Sequence, residues 1–183
     1  MEKTAKLKTR DMAYIALFAV LMAICSWISI PAAVPFTLQT FGVFLAVGVL
    51  GGKRGTLAVA LYLLMGAVGL PVFAGFSGGA GVLLGSTGGY IVGFVFLALV
   101  MWAMERWAES KTWRVVLSMV LGLIVCYAFG TAWFMLVYAR ATGPVGLLTA
   151  LGWCVLPYIP VDAVKMALAL AIRKRLAAAI RIR

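Results

Sequence analysis

One acid and one base lie three residues apart in the last apolar segment of the sequence, Asp162 and Lys165. On a helix, this spacing places both side chains on one face. In a membrane span, each charge costs roughly 2.5–3.5 kcal/mol at the helix centre, and such residues usually belong to a ligand or ion site. The alternative is a buried salt bridge that only holds the helix in its bundle. The pair therefore predicts either a binding site or a structural lock.

A glycine-rich stretch that ends near residue 90 is a second candidate for binding. It contains Ser86, Thr87 and Tyr90, and its glycines permit tight turns and close backbone approach. Non-helical backbone at membrane depth is tolerated only where it is buried or lines a cavity. The stretch contains no Lys and follows no strand, which distinguishes it from a phosphate-binding loop. It predicts either a loop that presents hydroxyl and N–H groups to a ligand or a flexible connector.

The segment before the second apolar run brings polar groups to a helix start. Pro35 or Thr37 suits that start, and Gln39 places a side-chain amide at the mouth of a helical bundle. Such an amide can both donate and accept hydrogen bonds. Gln39 is therefore a candidate ligand contact, with simple helix capping as the alternative.

Small residues form a stripe along the first apolar run. Ala16, Ala19, Ala23 and Ser26 are spaced i, i+3, i+7 and i+10, which puts them on one helix face. Small residues let helices approach closely in lipid. The stripe predicts close packing against another helix of this chain or against a partner subunit.

Several kinds of chemistry are excluded by what the sequence lacks. It has no His, and Cys25, Cys126 and Cys154 lie in separate apolar runs without zinc or disulfide spacing. No Walker A, HExxH or Gly-x-Ser-x-Gly motif occurs. We therefore expect no catalytic residues, no metal, no cofactor and no ATP hydrolysis by this chain.

The bulk composition indicates that lipid is the solvent around these groups. Of 183 residues, 65% are hydrophobic and 11% are charged, against about 45–50% and about 25% in soluble domains. The predicted fold is an all-α integral membrane protein with a single domain. A span needs roughly 17–25 apolar residues, and Pro157 and Pro160 divide the last run. Six transmembrane helices are predicted, at about residues 12–30, 37–51, 56–73, 88–104, 115–138 and 160–176, with a short outer segment at about 145–157.

The net charge of +11 follows from this topology. With six spans, every basic residue except Arg140 and Lys165 falls on one side. The positive-inside rule places that side and both termini in the cytoplasm, so the charge needs no nucleic-acid partner, and the tail from Arg173 to Arg183 can also lie on anionic lipid. A signal peptide cleaved near Pro31–Ala33 is the alternative for the N-terminus. The apolar core of a signal peptide is about 7–15 residues long, and the first apolar run of this sequence is longer.

Five short motifs occur in an order that matches one known family. They are Phe36–Gly42, Gly51–Gly55, Gly69–Phe73, Gly85–Tyr90 and Pro157–Lys165. Together the motifs resemble the BioY family, the biotin-binding S components of energy-coupling-factor (ECF) vitamin transporters, and the likeness extends from about residue 10 to about residue 175. Ser86 departs from the pattern, because the family commonly has Pro there. The departure affects the expected shape of the loop more than the expected function.

The resemblance implies a six-helix protein in the plasma membrane of a prokaryote that binds its vitamin from the outer side. S components dock on a transmembrane T subunit that carries two ATPases, although some BioY proteins lack dedicated partners. In the family, an alanine motif on the first helix contacts the T subunit. In this sequence the motif would fall on Ala19 and Ala23, with Ala16 beside them.

Biotin carries groups that suit the candidate residues. Its ureido ring has two N–H donors, which Asp162 can accept, and a carbonyl, to which Tyr90, Ser86 or backbone N–H groups can donate. Lys165 can reach either the carboxylate of biotin or the ureido carbonyl. Its thiophane ring and alkyl chain need apolar walls. Three aromatic residues could supply those walls: Phe36, Phe73 and Phe76.

These observations together predict a membrane subunit that binds biotin for ATP-driven import by partner subunits. Gln39, Ser86 and Thr87 are predicted to supply further ligand contacts. Two alternatives remain at the level of the sequence. One is a stand-alone carrier in which Asp162 and Lys165 couple transport to protons. The other is a non-transporting membrane subunit in which the same pair only locks the bundle.

Overall fold

A computed structural model describes residues 8–31, 34–108 and 111–179, with side chains up to residue 176. Four of the basic residues assigned above to the cytoplasmic side lie outside these ranges, as do residues 32 and 33 of the signal-peptide alternative. The four are Lys3, Lys6, Arg181 and Arg183.

The described chain is almost entirely helical, as its apolar runs require, because a helix satisfies its own backbone hydrogen bonds in lipid. Two strands of two residues, β1 (Ser29–Ile30) and β2 (Phe36–Thr37), form an antiparallel pair. A 3-10 turn covers Ala74–Phe76. In chain order the helices are α1 (Thr9–Trp27), α2 (Gln39–Leu50), α3 (Gly52–Ala67), α4 (Ala80–Leu84), α5 (Gly88–Ala103), α6 (Glu105–Ala108), α7 (Thr112–Ala141), α8 (Leu147–Cys154) and α9 (Tyr158–Ala179).

The predicted all-α fold is confirmed apart from the small strand pair. In the described part of the chain, the six helices of twelve or more residues overlap the six predicted spans. α3 ends earlier than predicted because Gly69 adopts a φ of 100° and Pro71 has no backbone N–H. By length and composition, α1 and α7 can each cross a membrane, and α8 with α9 forms a third candidate with a 44° bend. The number of crossings stays a prediction.

α2 is the central helix of the bundle, and almost all its residues are buried. It packs against α1, α3 and α9, while α5 packs along α7. Two glycines make room for aromatic side chains. A Cβ at Gly66 would overlap the ring of Phe73, and a Cβ at Gly130 would overlap the ring of Tyr90. Both aromatic residues belong to the site described below, so these glycines help to shape it.

Three contacts gather helix ends at one end of the bundle. Arg54 Nε, at the start of α3, lies 3.1 Å from Asp11 Oδ1 in the first turn of α1. The Gly52 N–H donates to Glu105 Oε1 at the start of α6 (2.9 Å). Arg173 Nε, late in α9, donates to a carbonyl near the end of α2 (2.7 Å). We call the end defined by Asp11, Arg54, Glu105 and Arg173 the basic end.

α2 and α9 run in the same direction. Near their starts, Thr40 lies 2.7 Å from Asp162, and near their ends Gly48 lies 2.7 Å from Arg173. A second and a sixth span would share this direction. The starts of both helices therefore lie away from the basic end, where a cavity opens between them.

Candidate functional site

A cavity of about 220 Å³ lies between the starts of α2 and α9. Its other walls come from α5, α7, α8 and the segment between α3 and α4, which we call loop 69–79. Apolar walls with a few placed polar groups are typical of small-molecule sites. The polar side chains that line the cavity are Thr37, Gln39, Thr40, Ser77, Thr87, Tyr90, Tyr127, Tyr158, Asp162 and Lys165.

Asp162 and Lys165 lie on one face of α9 and both line the cavity. They form an ion pair with a distance of 2.7 Å between Lys165 Nζ and Asp162 Oδ1. The two residues are only 2% and 4% exposed. Pro160 precedes them in the first turn of α9, where its missing N–H leaves no helical hydrogen bond unmade. The local helix thus fixes the pair, and the bundle removes it from solvent.

Two residues from other helices complete the surroundings of the carboxylate. The Thr40 hydroxyl of α2 donates to Asp162 Oδ1 (2.7 Å) and accepts from Lys165 Nζ (3.1 Å). The Tyr127 hydroxyl of α7 donates to Asp162 Oδ2. The pair therefore connects α2, α7 and α9 around the cavity.

The pair keeps hydrogen-bonding capacity after these contacts. A carboxylate has about four acceptor positions and an ammonium has three donors. Within the described residues, Asp162 accepts three hydrogen bonds and Lys165 donates two. One acceptor position on Asp162 and one N–H of Lys165 therefore remain for a ligand. A neighbouring donor and acceptor suit a neutral amide-like group, because the charges already compensate each other.

Of the other polar residues predicted to contact a ligand, three line the cavity and one does not. Gln39, Thr87 and Tyr90 line the cavity. The Tyr90 hydroxyl lies 3.0 Å from Thr131 Oγ1 on α7, which fixes the ring in the cavity wall. Ser86 precedes Thr87 in the turn before α5 and is not among the lining residues. The structure therefore brings the predicted polar contacts together except for Ser86.

Of the three predicted aromatic walls, only Phe73 lines the cavity. Phe73 is fully buried, and its ring meets that of Tyr62 edge-on, with 5.5 Å between centroids. Phe36 stacks on Tyr158, whose hydroxyl donates to the Val34 carbonyl. This stack places Phe36 behind the wall, so Tyr158 is the aromatic residue that reaches the cavity.

Phe76 lies at the surface rather than in the wall. It is 64% exposed and stacks on Trp27 with 5.0 Å between ring centroids. Gly75 and Phe76 both have positive φ, 68° and 56°. This local reversal turns Phe76 away from Phe73, although only three positions separate them.

Sequence reasoning missed Thr40, Tyr127 and Tyr158 as cavity residues. Thr40 and Tyr158 lie inside motifs that indicated the family, so their position was a usable signal. Tyr127 lies in a long apolar run without any local pattern. Only the folded structure reveals its contact with Asp162.

The alanines of the stripe on α1 differ in exposure, and this difference changes which of them can contact a partner subunit. Ala16 is exposed, but Ala19 and Ala23 are 0% and 3% exposed and belong to the core of this chain. Ser26 is also fully buried. Ala19 and Ala23 therefore pack within the chain, which was the alternative to a partner contact. Of the predicted docking residues, Ala16 alone is accessible to a partner in this structure.

The structure offers no assembly of metal ligands within the residues it describes. No group of three or more His, Cys, Asp or Glu side chains is close enough to hold an ion there. Cys25, Cys126 and Cys154 are buried free thiols. Cys126 and Cys154 line the cavity as part of its wall.

Comparison with known proteins gives consistent similarities over most of the chain. A family model described as the BioY family matches residues 1–182. The "Biotin transporter BioY" of Thermotoga maritima is 52% identical over 122 residues, which cover 66% of this chain and 72% of that protein. The "Probable biotin transporter BioY" of Pyrococcus horikoshii is 40% identical over 174 residues, which cover 93% and 98%.

A solved structure has the same fold. It is a crystal structure of the S-component for biotin from an ECF-type ABC transporter, 28% identical in sequence, with a TM-score of 0.80. The match covers 93% of this chain and 94% of the other. The arrangement of helices described above is therefore shared with that S-component.

Proposed function

This chain belongs to the BioY family, and we propose that it is the biotin-binding S component of an ECF-type vitamin transporter. Biotin is the transported ligand, and no cofactor takes part in the proposal. The function rests on a cavity whose polar groups match those of biotin, together with relatives named as biotin transporters. The protein is a multi-pass membrane protein.

The observation that carries the proposal is the buried ion pair with unused hydrogen-bonding capacity at the cavity. A pair that served only as a lock would need no access to a cavity. Asp162 and Lys165 both line it, and each keeps one hydrogen-bonding position after its protein contacts. We take this donor and acceptor as the recognition point for the ligand.

The same capacity favours one orientation of biotin. The ureido ring presents an N–H and a carbonyl side by side, which match the remaining acceptor on Asp162 and the remaining N–H of Lys165. Among the described residues that line the cavity, Lys165 is the only cation, and Asp162 already compensates its charge. A buried biotin carboxylate would thus lack its own counter-charge, which is costly. We propose that the ureido ring binds at the pair and that the carboxylate lies toward the mouth.

The apolar parts of biotin would meet the remaining walls. Phe73, Ile91 and Phe94 lie around the cavity beside the polar groups. Burial of apolar surface contributes about 25 cal/mol per Å². These walls would therefore supply much of the binding free energy, and the polar groups would supply the orientation.

ATP-driven transport by this chain requires a partner, because the sequence contains no ATP-binding motif. We propose that a transmembrane T subunit with two ATPases supplies the energy. The basic end would face the cytoplasm with both termini, in accord with the positive-inside rule, and the cavity would open to the outside of a prokaryotic plasma membrane. Ala16 is the remaining predicted contact with the T subunit on α1.

Equilibrium dialysis of the purified full-length protein in detergent against labelled biotin tests the ligand. The expected result is saturable binding of one biotin per chain well below micromolar concentration. Absence of binding at micromolar biotin would overturn the proposal and favour a structural subunit.

Uptake by the protein in liposomes tests the coupling. The protein alone should take up little biotin, and ATP-dependent uptake should begin when a T subunit and ATPases are added. Uptake by the protein alone that follows an imposed proton gradient would instead support a stand-alone carrier.

A further inference from the structure

A chain of buried hydrogen bonds leads from the cavity wall into the bundle. Thr37 Oγ1 lies 2.9 Å from Gln39 Oε1, and Gln39 Nε2 lies 2.6 Å from the Tyr62 hydroxyl. The Tyr62 hydroxyl lies 3.0 Å from the Val72 carbonyl oxygen. Gln39 lines the cavity, whereas Tyr62 is fully buried behind it. The chain therefore connects the cavity with the base of loop 69–79.

The direction of every hydrogen bond in this chain follows from its last member. The Val72 carbonyl can only accept, so the single proton of the Tyr62 hydroxyl must point toward it. The Tyr62 oxygen must then accept, and only the NH₂ group of Gln39 can donate to it. The Gln39 carbonyl oxygen consequently faces Thr37 and accepts from the Thr37 hydroxyl. One backbone carbonyl thus fixes which way the Gln39 amide is turned.

The fixed amide has capacity left for a ligand. An amide side chain has two N–H donors and two acceptor positions. One donor is used by Tyr62 and one acceptor position by Thr37. The other N–H and the other acceptor position of Gln39 are not used by the described residues, and the side chain lines the cavity. If the amide were turned over, its carbonyl would face the Tyr62 oxygen and the network would lose a hydrogen bond.

The same carbonyl also anchors loop 69–79. Ser26 Oγ lies 2.5 Å from the Val72 carbonyl oxygen and 2.8 Å from the Ala23 carbonyl oxygen, and it also contacts the Tyr62 hydroxyl. The next residue, Phe73, is a cavity wall, and its N–H donates to the Ser77 carbonyl (2.9 Å). Ser77 lines the cavity as well. The position of this wall therefore depends on two buried hydroxyl groups, and only one of them also touches Gln39.

We propose that Tyr62 is a positioning residue for ligand specificity, which fixes the orientation of the Gln39 amide in the cavity and couples it to loop 69–79. Tyr62 touches no ligand itself. Since the ligand is taken to be biotin, as proposed above, the amide and the Asp162–Lys165 pair act as two separate polar contacts for one molecule. Ser26 also holds the Val72 carbonyl, and it reaches the Gln39 amide only through Tyr62.

A double-mutant cycle separates these roles. Tyr62→Phe removes the hydroxyl that orients the amide and also half of the loop anchor. Gln39→Leu removes the amide at similar volume, and Ser26→Ala removes the other half of the anchor. Tyr14→Phe is the matched control, because Tyr14 lies half-buried on α1 and does not line the cavity.

In the protein with Gln39, Tyr62→Phe should raise the dissociation constant for biotin about ten-fold, mainly through a faster dissociation rate. In the Gln39→Leu background, the same substitution should cost only about two- to three-fold, because only the loop contribution remains. Ser26→Ala leaves the Tyr62 hydroxyl in place, so its factor should differ between the two backgrounds by less than that of Tyr62→Phe. Equal factors for Tyr62→Phe in the two backgrounds would overturn the proposal, because Tyr62 would then act as ordinary core.

A measurement without ligand distinguishes a failure of the biotin proposal from a failure of the proposed link between Tyr62 and loop 69–79. Amide hydrogen exchange of residues 70–79 in the unliganded protein should become faster in Tyr62→Phe and unchanged in Tyr14→Phe. Unchanged exchange in Tyr62→Phe would overturn the link between Tyr62 and the loop, whatever the ligand is. If the exchange result holds and the wild-type protein binds no biotin, the biotin proposal fails and the link to the loop stands.

Discussion

Within the described residues, two acid–base pairs each bury their carboxylate, and they differ in what lies beside them. Asp11 pairs with Arg54 at the basic end (3.1 Å), and Asp162 pairs with Lys165 at the cavity (2.7 Å). Both carboxylates are almost fully buried, with 4% and 2% of their surface exposed. Burial of an ion pair therefore does not by itself identify a ligand site in this protein.

The partners of each carboxylate show why the two pairs serve different purposes. Asp11 accepts from the Lys8 N–H (3.1 Å) in the first turn of α1, where an acidic side chain stabilises a helix start. The side chain of its partner Arg54 is 29% exposed. Asp162 has no such role in capping, and its contacts converge on a cavity from three helices. The cavity beside Asp162 and Lys165 distinguishes this pair, which we propose binds the ligand, from the Asp11–Arg54 pair.

The largest expected effect comes from removing one charge at the cavity. Lys165→Met keeps the side-chain volume but leaves Asp162 buried without its counter-charge. We expect the dissociation constant for biotin to rise at least about one hundred-fold, because the variant loses the proposed N–H contact and truncating one partner of a buried charge pair costs about 2–5 kcal/mol of binding free energy. Isothermal titration with the detergent-purified variant would measure it. A change of less than about three-fold would remove Lys165 from the proposed site.

A smaller effect is expected at the third donor to the same carboxylate. Tyr127→Phe removes a hydrogen bond to a charged acceptor, which contributes about 1.5–3 kcal/mol. Asp162 would become less well fixed, and the affinity for biotin should fall about ten-fold. Tyr138→Phe on the same helix is the control, because Tyr138 is not a lining residue of the cavity. Equal affinities of the two variants would contradict the assigned role of Tyr127.

A substitution in the Asp11–Arg54 pair should lower the stability of the protein and leave its affinity for biotin nearly unchanged. Asp11→Asn weakens the cap of α1 and the contact with Arg54, so the free energy of unfolding should fall by about 1 kcal/mol. Its affinity for biotin should stay within about two-fold of the wild-type value. Thermal unfolding in detergent and biotin titration of the same sample check both parts. A large loss of binding without a loss of stability would show that the basic end influences the cavity.

The smallest effect is expected from a change in the ligand rather than the protein. Biotin whose carboxylate is converted to a primary amide keeps the ureido ring and loses the negative charge. If the ureido ring occupies the Asp162–Lys165 pair, the affinity should fall by less than about three-fold, because the lost group lies near solvent. Competition against labelled biotin measures this ratio. Loss of more than about one hundred-fold would instead place the carboxylate at Lys165.

The sequence was sufficient for features that depend on neighbouring residues. The predicted apolar runs overlap the six described helices of twelve or more residues, and the spacing of three residues places Asp162 and Lys165 on one helix face, where they form an ion pair. The end of α3 was less accurate, because a glycine conformation and a proline decided it. Such choices depend on turn geometry that an apolar run does not encode.

Features that depend on distant residues could not be read from the sequence. Thr40 and Asp162 are 122 positions apart, and their contact needs α2 and α9 to pack side by side. The same limit explains the alanine stripe, because spacing gives a shared helix face but not which neighbour covers it. Packing places Ala19 and Ala23 in the core and leaves Ala16 exposed. Phe73 lines the cavity, whereas Phe36 lies behind its wall, and only the fold decides between these two positions.

We propose that the Asp162–Lys165 pair binds the ligand, whereas the Asp11–Arg54 pair only stabilises the fold. Neutral double variants test it most directly, because replacing both members of a buried pair often leaves stability unchanged. Equilibrium dialysis with labelled biotin would compare Asp162→Asn/Lys165→Met with Asp11→Asn/Arg54→Met, after thermal unfolding has shown that both are folded. We expect the first variant to lose binding by at least about one hundred-fold and the second to bind like the wild type. Wild-type affinity in a folded Asp162→Asn/Lys165→Met variant would contradict the account and leave the cavity pair as a structural lock.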